Sequence, residues 1–460
     1  MIDLAANQLA VIQDKLLDPG PYYTSYPTLG LWLKKINNQS YKNYLVEYFQ
    51  AEGKSKPVHL YIHIPFCAKL CWYCVCNIVV TNNREKIQYF LDYLLKEIDL
   101  LAALFKENNI KPRITEIHFG GGTPSHLYED QFNELVEKLK SILDFASVQE
   151  VTMEIDPRTT TRESLRSFAS MGVTRISFGV QDFDLKVQEA INRVQPPEMI
   201  DELLTTEIRS LFKGVNFDLL YGLPFQSRKS FQNTIDLVKK FSPERITLLK
   251  YAHLPDLRRH MKLIKESDLP GENELPDMFI DAVLSLTEAG YTWVGIDNFA
   301  KSTDDLALAA NEKKVWRTFN GFTPGRTKDM IGLGPTSTAA FGNYYVQNVY
   351  ELKEYYACLD MEEFPTLRGY VMNTKDLIIR DVIFGLLCNL EINFESINKK
   401  FQIDFIDYFK DELQTLDGFT DFLDISPNDI KIKAYGQFFL RKICRVFDRH
   451  NVTAYKISGP

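Results

Sequence analysis

No uninterrupted apolar run of roughly 18 residues occurs in this chain, so it lacks the segment that an ordinary membrane-spanning helix needs. Residues 1–20 carry acidic groups and no basic segment followed by an apolar stretch, so no secretory signal is read there. Positive charge is not in surplus. The formal net charge of −8 excludes a general attraction for nucleic acid or anionic membrane. Cysteine is scarce, at 7 in 460 residues, and too unevenly placed for a disulfide framework. There is no low-complexity segment and no sustained heptad, which makes a monomer the simplest expectation. What remains is an ordinary globular composition, 45% hydrophobic and 25% charged, long enough for more than one domain. Free thiols in such a chain predict a cytoplasmic, reducing setting.

The scarce residue is also the concentrated one. Cys67, Cys71, Cys74 and Cys76 fall within Tyr61-Ile-His-Ile-Pro-Phe-Cys67-Ala-Lys-Leu-Cys71-Trp-Tyr-Cys74-Val-Cys76-Asn77, while Cys358, Cys388 and Cys444 stand alone. The first three have the spacing C-x3-C-x2-C. Thiolates are soft ligands for iron–sulfur clusters or zinc. A [4Fe–4S] cluster takes one cysteine per iron, so a three-cysteine loop leaves one iron open. Two alternatives stand beside this reading. Cys76 would complete a fully ligated cluster, against which its one-residue separation from Cys74 argues. Zinc would call for a second paired C-x2-C unit that the chain does not show.

From 57 to about 300, β-rich runs alternate with longer helical patterns. Strands are predicted at 58–64, 114–119, 149–155, 173–179, 215–220 and 245–250. Helices are predicted at 83–106, 128–143, 161–170, 183–191, 197–213 and 229–239, with others at 4–17, 35–53 and 276–289. Such alternation predicts an α/β fold built on a parallel sheet, curled by right-handed crossovers into an open or partial barrel. The cysteine loop directly follows the first strand, where parallel folds place their sites. From 351 onward the pattern is mostly helical, and the run 431–448 reads as a strand passing into a helix. The expected division is an N-terminal helical and irregular segment over 1–56, a catalytic domain over 57–364, and a mainly helical domain over 365–460.

The C-x3-C-x2-C motif after an extended segment resembles that of the radical S-adenosylmethionine (SAM) enzymes. The fuller string YIHIPFCAKLCWYCVCN, with YTSYPT at 23–28, VQDF at 180–183, DLLYGLP at 218–224 and YAHLP at 251–255, resembles the oxygen-independent coproporphyrinogen III oxidase family. The likeness runs over nearly the whole chain. It implies a partial, open parallel (β/α)6 radical SAM barrel with a mainly helical C-terminal domain. It implies a [4Fe–4S] cluster on Cys67, Cys71 and Cys74, and two SAM molecules, one on the cluster and one beside it. It also implies SAM-binding roles for Glu154, Gln181, Arg193 and Asp218, with Ala252 contributing backbone contacts.

Each of these residues also has a plain structural reading. Gly120-Gly121-Gly122-Thr123-Pro124 follows the second strand. Three glycines cost backbone entropy, so close approach by a ligand accounts for them better than a bare turn does. In the resemblance, Gly121, Gly122 and Thr123 become part of a glycine-rich SAM site. Glu154 would meet a ligand amine or sugar hydroxyl, or else pair with Arg158 or a lysine. Tyr61 would contact substrate or brace the loop, His63 would donate toward the cluster or sit satisfied in the core, and Phe66 and Trp72 would shield the cluster. Cys76 is placed near substrate and the second SAM, or else is a free structural thiol. Arg317 and Arg326 are candidates for holding substrate carboxylates, for which arginine's bidentate geometry is suited; a solvated face is the alternative.

The activity implied is loss of hydrogen from the β-carbon of two propionates of coproporphyrinogen III, then loss of CO2 and an electron to leave the vinyl groups of protoporphyrinogen IX. The cofactors do the hard chemistry, while the protein orients the partners and excludes water. A reducing electron donor such as flavodoxin or ferredoxin is the expected partner. Val75, Asn298, Thr338 and Tyr22 depart from the family's usual residues. Two rival readings follow from them: a radical SAM paralogue that modifies or methylates another tetrapyrrole, and a haem-binding chaperone without oxidase activity.

Overall fold

The computed structural model describes residues 20–51 and 56–450. The helix expected at 4–17 lies outside the described residues. Six strands carry the parallel run: β1 (Pro57–Ile64), β2 (Arg113–Gly121), β3 (Glu150–Ile155), β4 (Arg175–Gln181), β5 (Gly214–Tyr221) and β6 (Arg245–Lys250). Each pairs in parallel with the next, as the alternation predicts. The strand Met330–Leu333 adds to the free side of β1, also in parallel.

These strands are the centre of a thirteen-stranded sheet. Beyond Met330–Leu333 it continues antiparallel through Thr338–Phe341, Tyr344–Asn348 and Thr366–Val371 to the two-residue strand Lys34–Lys35. Beyond β6 it ends in the pair Asn298–Lys301 and Tyr291–Val294. The run is open, with its order ending on different strands at either side, in line with a partial barrel. The position 365 lies next to Thr366–Val371, a strand of this main sheet.

Connecting helices form where local signals agree. Arg84–Glu107 starts where the Asn83 side chain accepts from Lys86 N–H, and buries an apolar stripe that includes Phe90, Leu94 and Leu101. The helix expected at 197–213 is instead two, Pro197–Leu203 and Thr206–Ser210. Thr205 is the cause: its hydroxyl accepts from Ile208 N–H and starts a new helix. The C-terminal region is mainly helical, led by Thr374–Asn389, and carries a small three-stranded sheet of Glu391–Asn393, Leu423–Ile425 and Asp429–Ile432.

The parallel strands have two unlike faces. One packs Ile117, Met153, Phe178 and Phe217 against the helices. On the other, polar side chains repeat every second residue and line up in register. His59 lies beside Glu116 and Glu116 beside Glu150, while Ser177 lies beside Asn216 and Asp218 beside Thr247. Near the strands' N-terminal ends this face is closed by buried ion pairs. Arg326 meets Glu116 at 2.8 Å, Arg175 meets Glu150 at 3.3 Å, and Asp304 takes Arg175 at 3.0 Å and Arg245 at 2.7 Å. Burial pushes the Glu150 carboxyl up, but Arg245, Arg175 and Arg326 outweigh it and hold it at about 2. The floor is charged and plugged, so chemistry belongs at the other end.

Candidate active site

At that other end the cysteine loop leaves β1. It is pinned at both sides by backbone bonds. Gly122 N–H donates to Ile64 O and Thr123 N–H to Phe66 O, each at 2.8 Å, and Val79 N–H donates to Pro65 O at 2.7 Å. The glycine run makes the fit possible. A Cβ on Gly122 would lie 2.8 Å from Phe66 O, one on Gly121 would lie 2.6 Å from the His63 ring, and one on Gly120 would lie 2.7 Å from Glu154 Oε1. The protein's own loop and side chains make the close approach at all three positions. Gly121 is also at φ +115°, a conformation that disfavours any side chain.

The thiols are differently supported. Thr123 Oγ1 donates to Cys67 Sγ at 3.3 Å. Arg158 Nη2 and Arg193 Nη1 donate to Cys71 Sγ at 3.3 and 3.4 Å. Cys76 is hydrogen-bonded to the Cys74 thiol and favours its thiolate; Arg193 and Arg258 act in the same direction, against burial. Burial pushes the Cys67 thiol up to about 12, with the Thr123 hydroxyl opposing it. Behind the two arginines lies Asp156, bonded to Arg158 at 2.6 Å and 3.4 Å from Arg193. Burial raises Asp156, but Arg193 and Arg158 outweigh it and hold it at about 2.

Two further groups hold the loop and were not singled out from sequence. His260 Nε2 lies 2.7 Å from Cys74 O, and Arg258 Nε donates to Val75 O at 2.8 Å. Both belong to the run after YAHLP, whose consecutive basic residues are the signal that could have found them. Arg158, which the sequence offers as a partner for Glu154, pairs with Asp156 instead.

Tyr61 and His63 point from β1 to the polar face. The Tyr61 hydroxyl lies 3.0 Å from His63 Nδ1, and His63 Nε2 lies 3.4 Å from Asn77 O. Burial holds the Tyr61 phenol well above its usual range and lowers His63 to about 4, so both are neutral at pH 7. The consistent assignment has Tyr61 donating to Nδ1 and Nε2–H donating to Asn77 O. Glu154 accepts from Gly121 N–H at 3.3 Å and meets His118 at 3.0 Å, in place of the expected arginine or lysine.

Asp218 accepts from Ser177 Oγ at 2.7 Å and Asn216 Nδ2 at 2.8 Å, and burial raises its carboxyl. Gln181 is held at φ +64° at the end of β4, where its amide and the Arg193 guanidinium crowd over Gly179. Arg193 itself donates to Gly179 O at 2.7 Å. Ala252 follows β6 with one residue, Tyr251, between them. The Phe66 ring turns away from the loop, edge-on to Phe90 in the core, so that only its carbonyl faces Thr123. Trp72 and Val75 pack toward Ile191, Leu223 and Tyr251.

Arg317 and Arg326 are each held by carboxylates of the protein. Arg326 belongs to the charged floor, and Arg317 is buried 3.6 Å from Asp297 with its guanidinium over Phe322. A solvated face does not describe Arg317, which is buried and also lies 5.3 Å from the Tyr22 ring.

The donor set fits a thiolate-held cluster. Three thiols lie on one short loop, the groups touching them are N–H, O–H and S–H donors, and the nearby carboxylate is neutralised by two arginines. Among the described residues no three His, Cys, Asp or Glu side chains converge on the position of a single ion. A four-iron cluster takes one thiolate per iron and needs its thiols spread.

Comparison with known proteins agrees. A model of the Radical SAM superfamily matches residues 61–238. The oxygen-independent coproporphyrinogen III oxidases of Salmonella typhimurium and Escherichia coli are each 36% identical over 447 residues, 96% of this chain and 95% of theirs. That of Helicobacter pylori is 34% identical over 435 residues, 94% of each chain. The solved structure of coproporphyrinogen III oxidase from Escherichia coli, described as a radical SAM enzyme, superposes with a TM-score of 0.89 at 35% identity, over 98% of this chain and 99% of that one. With sequence, length and fold all matched, this chain belongs to the oxygen-independent coproporphyrinogen III oxidases of the radical SAM superfamily.

Proposed function

We propose that the chain catalyses the oxygen-independent oxidative decarboxylation of two propionates of coproporphyrinogen III, giving the vinyl groups of protoporphyrinogen IX. The observation that carries this is the full-length match to enzymes of that activity in sequence and structure alike. A [4Fe–4S] cluster, when bound and reduced, supplies the electron that cleaves SAM and so provides the radical that takes hydrogen from substrate.

Cys67, Cys71 and Cys74 are the residues to hold that cluster, and Cys76 lies beside them without being a ligand. Arg158 and Arg193 donate to Cys71 and fix its position. Glu154, Gln181, Asp218 and the backbone at Gly121, Gly122, Thr123 and Ala252 form the polar rim where two SAM molecules would be oriented. The neutral Tyr61 hydroxyl, fixed by His63, faces the same space as Glu154 and supports a role in placing substrate. The charged floor beneath these groups keeps bulk water from entering along the barrel axis, which protects a reactive intermediate. A low-potential carrier such as flavodoxin or ferredoxin is the expected electron donor.

The test is anaerobic. The reconstituted protein with reductant, SAM and coproporphyrinogen III should release CO2 and form the divinyl product. Formation of 5′-deoxyadenosine with no decarboxylation would sink the oxidase reading. Serine at Cys67, Cys71 or Cys74 should remove cluster and activity together.

A further inference from the structure

A cavity of about 600 Å³ lies at the opposite end of the sheet from the cysteine loop. Its walls include Lys56 and Pro57 at the start of β1, and Lys328 and Asp329 just before the parallel strand Met330–Leu333. The cysteine loop begins where β1 ends. Eight residues at about 3.3 Å each put the two sites roughly 26 Å apart. A molecule in this cavity is therefore not the one that reacts, since hydrogen transfer needs contact of a few ångströms. The volume falls in the range of about 300–1,000 Å³ common to small-molecule sites.

The wall has two chemical characters. One is aromatic, with Trp32 stacked on Tyr345 at 4.8 Å and Trp316 edge-on to Phe384 at 5.1 Å. The other is cationic. Arg380 and Lys400 share one carboxylate, Asp381, which lies 3.5 Å from Arg380. The Arg380 Nε is buried with no hydrogen-bond partner. Lys328 lies 4.2 Å above the Trp316 ring and pairs with no carboxylate among the described residues. Of the acids that line the cavity, Asp329 acts on Arg380 but is shared with other donors, and none pairs with Lys328. Asp329 is taken by Tyr48 Oη, Lys56 and Gly342 N–H, and Glu47 by Tyr344 Oη. A cationic corner over an indole suits the acid group of a flat aromatic molecule.

We propose that this cavity binds a carboxylate-bearing tetrapyrrole, with Lys328, Arg380 and Lys400 meeting a carboxylate and Trp316 packing on the ring. The choice of tetrapyrrole rests on the function proposed above; the chemistry it shares with a nucleotide is an aromatic body carrying an anion. Lys328 touches none of the cluster or SAM residues, so a ligand here is held independently of turnover.

The probe is protoporphyrin IX, added to the anaerobically reconstituted full chain and followed by quenching of tryptophan fluorescence, with ATP as the rival ligand. Saturable quenching is expected. Lys328→Ala should weaken it by roughly tenfold, the loss of one charge-assisted hydrogen bond. Lys328→Arg should restore it, Trp316→Phe should reduce its amplitude, and Trp72→Phe, beside the cysteine loop, should keep its Lys328 dependence. Turnover without added porphyrin should be the same in Lys328→Ala as in the parent. Equal porphyrin affinity in Lys328→Ala and the parent overturns the proposal, and so does ATP binding more tightly through Lys328. Porphyrin binding that depends on Lys328 in a protein that does not decarboxylate coproporphyrinogen leaves this site standing and removes the oxidase reading. Decarboxylation without such binding does the reverse.

Discussion

Glu97 is wholly buried on the helix Arg84–Glu107, where Tyr355 Oη, Gly334 N–H and Asn348 Nδ2 all donate to it. Burial still wins over the three donors and lifts its carboxyl to about 7. The folded state then binds a proton that the unfolded state releases near pH 4.5, so this residue's contribution to stability is present below that pH and is lost as pH rises through about 7. The loss amounts to roughly 3 kcal/mol. Glutamine does not titrate, and any misfit it makes with Asn348 is independent of pH. Urea unfolding of the parent and Glu97→Gln should therefore show the parent losing roughly 3 kcal/mol relative to the variant between about pH 4.5 and 7.5. A gap that stays constant with pH would mean that Glu97 titrates normally. Arg158 offers a second test at this scale. Hydrogen bonds to a cluster's sulfurs favour the reduced, more negative state. Arg158→Ala removes one of the two guanidinium donors to Cys71, so the midpoint potential should fall by roughly 50 mV, the equivalent of about 1 kcal/mol for one electron. Lysine at this position should recover part of the shift.

Among the elements, the turn after β2 separates two costs that a glycine can conceal. Gly172, at φ +110°, has nothing within 4 Å of an added Cβ, so alanine there meets backbone strain alone, about 1–2 kcal/mol. Gly121 has a similar φ and, in addition, the His63 ring in the way. Gly121→Ala must displace His63 and with it the Tyr61 hydroxyl, so it should lose activity and cluster content, while Gly172→Ala keeps both. Equal behaviour of the two variants would contradict the packing role of the glycine run. The order of the parallel strands and the place of the cysteine loop were legible from the β/α alternation. The charged floor was legible too, but went unread: His59 with Tyr61, Glu116 with His118, Glu150 with Glu154 and Asn216 with Asp218 repeat polar groups at even spacing inside runs that look simply β-rich. Arg326 shows what sequence spacing does not reveal. Its partner Glu116 is 210 residues away, and only the folded sheet brings them together. The thiol donors Arg158 and Arg193 were hidden for the same reason, since one reaches Cys71 from the loop after β3 and the other from beyond the helix Leu185–Ala190.

Over the whole molecule the two ends of the described chain are tied to each other. Arg441 Nε donates to Pro21 O at 2.8 Å, its Nη2 donates to Gly20 O, and its guanidinium lies 4.7 Å from the Tyr22 ring centre. Tyr23 Oη donates to Asp448 at 3.1 Å, and Arg449 N–H to Tyr26 Oη at 3.3 Å. The N-terminal segment then continues into Lys34–Lys35, which pairs with Arg368 and Gly369 in the main sheet. It thus bridges the C-terminal helices and the catalytic sheet, and unfolding either should release the other. Thermal unfolding of the cofactor-free chain should accordingly be one transition, instead of separate steps for 1–56, 57–364 and 365–460. Arg441→Ala breaks two bonds from a buried guanidinium to backbone carbonyls. It should cost roughly 3 kcal/mol and lower the transition without splitting it. A variant scan that splits in two, with the sheet melting at the parent's temperature and the helical region below it, would show that the N-terminal segment does not couple them.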